Sequence, residues 1–171
     1  MDDTEPGQIR DDAYHITAAA NMASIAAHGF RVDRRGVLGA GAYFDLESEA
    51  TGWVPARERY PGQPLVVFRC EVSLGRVLDL DDQTIRSRFR RFQRALLHRV
   101  GRSEMLRLGQ GGQIDEFRSA LAVEGEFYET VKRTFVTDRR ARIAVSDASR
   151  VVVVSVRDER GVRLPWPPPR P

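Results

Sequence analysis

The run Leu65-Val-Val-Phe-Arg-Cys-Glu-Val72 constrains the fold more than any other segment. It is dense in Val, Leu and Phe, it is closed in front by the turn Tyr60-Pro-Gly-Gln-Pro64, and Ser73-Leu-Gly75 breaks it behind. That pattern is a strand. A strand must hydrogen-bond to others, so the chain has to build a sheet around it. Further strands are expected at Ala13–Ile16, Ala42–Asp45, Arg76–Leu80, Phe127–Val136, Ile143–Ser146 and Arg150–Val156, with an extended piece at Phe30–Val32.

Helical signals separate the early strands from the late ones. Asn21-Met-Ala-Ser-Ile-Ala-Ala-His-Gly29 is Ala-rich, opens on a capping type of residue and stops at glycine. A second helix is expected over Leu46–Trp53. A third runs from Asp81 to about Leu108 with an interruption at Gly101, then a loop Leu108-Gly-Gln-Gly-Gly112 and a helix from Ile114 to about Val123. There is no regular βαβ alternation, so the expected class is α+β. At 171 residues and 42% hydrophobic, the chain amounts to one domain's worth of core. Residues 1–11 are expected to be loose, 12–158 to form the domain, and the Pro-rich 159–171 to be a disordered tail.

Composition excludes several chemistries. The single cysteine, Cys70, permits no internal disulfide and no Cys-based metal cluster, and its apolar run marks it as a buried structural thiol. His15, His28 and His98 are scattered, with no metal-ligand spacing; no metal is expected. No Gly-x-Ser-x-Gly elbow or P-loop is present. The acidic start Met-Asp-Asp-Thr-Glu-Pro is not a signal peptide, and no apolar stretch is long enough to span a membrane. The chain reads as cytoplasmic, or as delivered within a larger toxin.

Three constellations could carry chemistry. The first is Tyr14-His-Ile-Thr17 followed by Gly36-Val-Leu-Gly-Ala-Gly41 running into Ala42-Tyr-Phe-Asp45. Glycines admit a ligand close to the backbone, and an aromatic ring beside backbone amides suits a flat heterocyclic amide. The same letters are equally compatible with a strand-edge histidine and a core tyrosine. The second is the helix Arg86–Arg99, in which Ile85, Phe89, Phe92, Leu96 and Val100 make an apolar face and arginines fill the rest. It is either a solvated face or one that meets nucleic acid or an acidic partner. The third is the acidic cluster Glu124, Glu126 and Glu129, either a source of a general base or a charged loop.

The first constellation resembles the poly(ADP-ribose) polymerase-like (His-Tyr-x) branch of ADP-ribosyltransferases, over roughly Tyr14–Leu80 and more weakly over Phe127–Val156. Tyr14-His-Ile-Thr17 is similar to the family's opening Tyr-His-Gly-Thr, with Ile16 in place of glycine. Asn21-Met-Ala-Ser-Ile-Ala-Ala-His-Gly-Phe30, Gly39-Ala-Gly-Ala-Tyr-Phe44 and Phe68-Arg-Cys-Glu-Val-Ser-Leu-Gly75 follow in the family's order and spacing.

The resemblance implies a split mixed β-sheet around an NAD cleft. It implies that His15, helped by Thr17, hydrogen-bonds the adenosine-side ribose and that the backbone of Ile16 faces the nicotinamide amide. Tyr14, Gly39, Gly41, Tyr43 and Phe44 would complete the pocket, with Trp53 as the second stacking aromatic and Ala50 where many members have serine. The family's glutamate, at the head of a late Glu-x-x-Val-x-Asp strand, falls on Arg142 of Arg142-Ile-Ala-Val-Ser-Asp147. Glu126 or Glu129 would then supply the carboxylate, or the domain would transfer a single ADP-ribose unit without that glutamate, or it would bind NAD without turning it over. Catalytic candidates are accordingly His15, Tyr43, Arg142, Glu126 and Glu129. The implied activity is mono-ADP-ribosyl transfer from NAD to an unknown protein, nucleic-acid or small-molecule acceptor. The alternatives are an NAD glycohydrolase or an inactive NAD/ADP-ribose-binding module. A bacterial toxin with an antitoxin or immunity protein as partner fits the same resemblance. The Tyr60–Pro64 turn and the Leu108–Gly112 loop are expected to border the cleft.

Overall fold

A computed structural model describes residues 8–33, 36–49, 52–135 and 140–168. Among the described residues eight strands form one sheet: β1 Ile9–Ala18, β2 Ala42–Leu46, β3 Leu65–Ser73, β4 Val77–Asp79, β5 Thr130–Phe135, β6 Arg140–Val145, β7 Val151–Asp158 and β8 Arg163–Leu164. The described residues also form the α-helices α1 Met22–His28, α2 Trp53–Arg59 and α3 Gln83–Val123. The strand order is β4-β5-β6-β2-β1-β3-β7-β8. All neighbours are antiparallel except β4 and β5. The α+β class expected from the sequence is what forms, and no described helix is long and apolar enough to cross a membrane.

The sheet is weakest in its middle. β1 pairs with β3 along nearly its whole length. With β2 it pairs only at Ala13↔Leu46 and Tyr14↔Asp45. Beyond Tyr14 the two strands part, so the sheet is two well-zipped halves joined along a short seam.

Two apolar clusters pack against the sheet, the first across both halves. One gathers Phe30, Phe44, Phe68, Val66, Val72, Ile143 and Val156. Within it Phe30, Phe44 and Phe68 meet at ring-centroid distances of 5.1 and 5.5 Å in edge-on geometry, an arrangement favoured by the ring quadrupoles. The other gathers Leu38, Leu78, Phe89, Ile114, Phe117, Leu121, Val131 and Ala144 beneath α3. Cys70 is fully buried, and burial pushes its thiol up to about 12, the inert group its surroundings suggested.

Several boundaries differ from the expectations. β1 starts at Ile9, paired with Ser73, so the ordered domain begins before residue 12. The expected helix over Leu46–Trp53 is displaced: Leu46 closes β2, buried opposite Ala13, and the helix begins only at Trp53. Asn21 does not cap α1, since its φ and ψ are already helical; its side chain donates to Thr17 Oγ1 at 2.8 Å instead. Gly29 does end that helix, at φ 74°.

The expected Leu108–Gly112 loop is mostly helix. α3 breaks at Gly101 (φ 78°) and Gly109 (φ 61°), and Gly111 sits in helix against the carbonyl of Gly36. The tail is not disordered through residue 168. Arg163 and Leu164 pair with β7, and Trp166 stands edge-on to Phe68 at 5.1 Å. Prolines forbid a ladder there, but they do not prevent an extended segment from laying an indole on the core.

Candidate functional site

Where β1 and β2 part, a cavity of about 730 Å³ opens, within the range of about 300–1,000 Å³ usual for small-molecule sites. Its walls are Tyr14–Thr17 of β1, the α1 side from Asn21 to Arg31, Gly36 and Val37, Tyr43–Asp45 of β2, the inner face of α2 with Tyr60, and Arg140 and Arg142 of β6.

His15 sits at the seam. Its Nδ1 lies 2.9 Å from the backbone oxygen of Tyr43. A carbonyl only accepts, so Nδ1 carries the proton and donates. Burial lowers the pKa of the ring, the Tyr43 carbonyl opposes that, and nearby Arg59 lowers it further. The imidazole is therefore neutral, and Nε2 presents a lone pair. Phe30, Phe44 and Phe68 pack round the ring at 5.1–6.4 Å and fix its orientation. The hydrogen bond spans the seam where the ladder has stopped, so one side chain both joins the two half-sheets and offers an acceptor to the cleft.

Tyr43 lines the cavity with its ring but spends its hydroxyl on the fold. It donates to the carbonyl of Gly39 at 2.6 Å and accepts from the amide of Leu38 at 2.9 Å. Burial pushes its pKa up to about 12. Any Cβ at Gly36 would collide with this phenol. The tyrosine therefore staples the glycine-rich loop as well as walling the pocket.

Gly39 and Gly41, expected to approach a ligand, do not line the cavity. Gly39 (φ 89°) is pressed against Asp115 of α3, and Gly41 against Ala144 and Val145 of β6. Both glycines permit close packing, but by protein rather than by ligand. Behind the loop Asp115 accepts from the amide of Ala40 at 2.9 Å, and Arg118 donates to the Ala40 carbonyl at 3.5 Å. Burial raises the pKa of Asp115 and lowers that of Arg118.

Thr17 is 2% exposed, and its hydroxyl is held by Asn21 and lies 3.3 Å from the Tyr60 hydroxyl. Tyr14, Ile16 and Phe44 line the cavity as expected. Trp53 does not. It begins α2 but is not among the residues of that segment that do line it, Gly52, Pro55, Ala56, Arg59 and Tyr60. Tyr60, from the turn expected to border the cleft, does line the cavity. Ala50 lies outside the described residues.

The acidic candidates fare differently from Arg142. Glu126 takes a bidentate pair from Arg88 at 2.6 and 3.0 Å and a hydrogen bond from Tyr128, and Arg88 above all holds its pKa near 2. Glu129 accepts from the amide of Arg76 at 2.7 Å and faces Arg150 at 3.4 Å. Neither lines the cavity. They brace the approach to β4 and the first turns of α3.

Arg142 does line the cavity. Its Nε lies 3.0 Å from Asp45 Oδ1, with Arg140 Nε 2.9 Å from the same oxygen, and its guanidinium stands over the Phe135 ring. Arg140 is 4% exposed, so its partner is a necessity rather than an ornament. Asp45 and Arg140 were not singled out from the sequence. The signal was period-two alternation: Asp45 follows Tyr43 by two on β2, Arg140 precedes Arg142 by two on β6, and the two strands pair Asp45↔Arg142. The described cavity wall thus carries Arg31, Arg59, Arg140 and Arg142 against Asp33 and Asp45. That positive balance suits an anionic ligand. Neither a scan against protein-family models nor a search of curated proteins returns a match for this chain.

Proposed function

We propose that the chain is an NAD-binding domain of ADP-ribosyltransferase type that cleaves the nicotinamide–ribose bond and passes ADP-ribose to an acceptor. The observation that carries this reading is neutral His15, tied through Nδ1 to the Tyr43 carbonyl at the mouth of the parted strands. A lone pair at Nε2 accepts from a ribose hydroxyl. The rings of Tyr43 and Tyr60 border space for a flat amide. Among the described residues β1 has no strand partner on its β2 side after Tyr14, which leaves backbone groups near Ile16 to bond that amide. The arginines favour a diphosphate.

The reaction asks little of acid–base residues. Nicotinamide leaves from a carbon already joined to a cationic nitrogen. The protein's work is to bend NAD, exclude water and admit the acceptor. The split mixed fold of that family would account for the short β1–β2 seam.

A second reading has its own support. A carboxylate opposite the scissile bond would favour an oxocarbenium-like transition state. Arg142 stands in the glutamate's place, and with Arg140 it surrounds Asp45 with two positive charges. That arrangement fits an NAD- or ADP-ribose-binding module without turnover. Nicotinamide release from NAD separates the two. On the first reading wild type releases nicotinamide and His15→Gln, which fills the same space, does not. Binding of NAD without release, with release appearing in Arg142→Glu, selects the second. Absence of both binding and release contradicts the whole proposal.

A further inference from the structure

Many arginines of this chain answer an acid: Arg10, Arg57, Arg88, Arg99, Arg107 and Arg150 each lie within 3.5 Å of an Asp or Glu oxygen. One stretch has more arginine than its surroundings can answer. Residues 83–103, the first part of α3, hold seven arginines and no acidic residue. Taking those seven from the chain's 27 basic residues leaves 20 against 24 acidic, so this segment alone makes the net charge of +3 positive.

Helical spacing then sorts the segment. Phe89 and Leu96 are buried and Ile85 and Phe92 pack beside them on the second core cluster. Arg90, Arg91, Arg94 and His98 fall on the opposite side, and all four are exposed. Among the described residues no ion pair or hydrogen bond reaches Arg90, Arg91 or Arg94. Phe89 and Phe92 lock against Phe117 at 5.2 and 5.3 Å, so the face is presented on a fixed support. From Arg90 to His98 it extends about 12 Å at the helical rise.

We infer that this face docks on the phosphate backbone of double-stranded DNA, independently of what the cleft binds. Guanidinium groups pair with phosphate oxygens bidentately. A duplex offers a fixed row with about one negative charge per 1.7 Å of axis, a match for cations held in a row on a helix. A protein partner needs an apolar patch to desolvate at its centre, and the centre of this face has none. A single strand needs aromatic platforms on which its bases stack, and there is none of those either. None of the four side chains lines the cavity.

The test is fluorescence anisotropy with the full chain and a labelled mixed-sequence DNA duplex, titrated across salt. Wild type binds with a steep negative slope of log affinity against log salt. The triple variant Arg90→Gln, Arg91→Gln, Arg94→Gln binds more weakly, with a slope shallower by about 0.9 for each phosphate that is no longer neutralised. His15→Gln, shown by its melt to be folded and altered at the seam rather than on this face, binds the duplex as wild type does. The inference is overturned by a triple variant with unchanged affinity and slope. It is equally overturned if polyglutamate or single-stranded RNA displaces the duplex at lower charge concentration than unlabelled duplex does, or if His15→Gln abolishes binding.

Discussion

His15 concentrates the account at the residue scale. Its pKa is lowered from 6.5 in the fold, chiefly by burial. Between that depressed value and the unfolded one, the unfolded chain binds more protons than the folded chain. The stability contributed by the neutral ring is therefore complete above about pH 6.5 and is lost as pH falls towards the folded value. Thermal melts of wild type should drop more steeply than those of His15→Gln on acidification through this window; parallel curves would show that the ring takes up its proton without cost. The glutamates make the opposite kind of statement. Glu126→Gln and Glu129→Gln should leave NAD affinity and nicotinamide release unchanged. Glu126→Gln should lower stability by roughly 1 kcal/mol, because the Arg88 pair is partly exposed. Loss of release in either variant would give that carboxylate a part in the proposed reaction.

Elements show why some of the sequence was readable and some was not. β2, β3 and the glycine stop of α1 are local: alternation, apolar density and one positive φ decide them, and they form where the residues indicate. The start of α2 is not local. Leu46 has some helix propensity, yet it is buried in strand because Ala13 lies opposite, and a sequence does not announce which strand will come alongside. The glycine-rich loop misleads for the same reason. Its glycines read as room for a ligand, whereas α3, far along the chain, fills that room with Gly111 and Asp115. Gly111→Ala tests this packing. Its Cβ would overlap the carbonyl of Gly36, so the loop must shift, at about 1–3 kcal/mol or more by the usual cost of overpacking. A lowered melting temperature together with weakened NAD binding is expected, since Tyr43 hangs on the same loop. An unchanged melt would mean that α3 and the loop are not packed as described.

At the scale of the whole molecule, the sheet is well zipped in its halves and poorly joined between them. One core cluster runs across both halves and the other lies beneath α3, and the cavity opens where β1 and β2 diverge. His15 and Tyr43, 28 residues apart in sequence, meet across that seam. What the pattern did not reveal is the company they keep. Tyr60 lines the cavity where Trp53 was expected, and Asp45 is shared by two arginines where a glutamate was sought. These partners come from strand register and from a helix displaced along the chain, both products of long-range pairing.

The most direct test of the central claim, that this seam binds NAD around His15 and Tyr60, is calorimetric titration of NAD into wild type, Tyr60→Ala and Trp53→Ala, with melts to confirm folding. Wild type and Trp53→Ala should bind alike, and Tyr60→Ala should bind at least about tenfold more weakly, the equivalent of about 1.4 kcal/mol. No binding by wild type, or a loss confined to Trp53→Ala, would contradict the account.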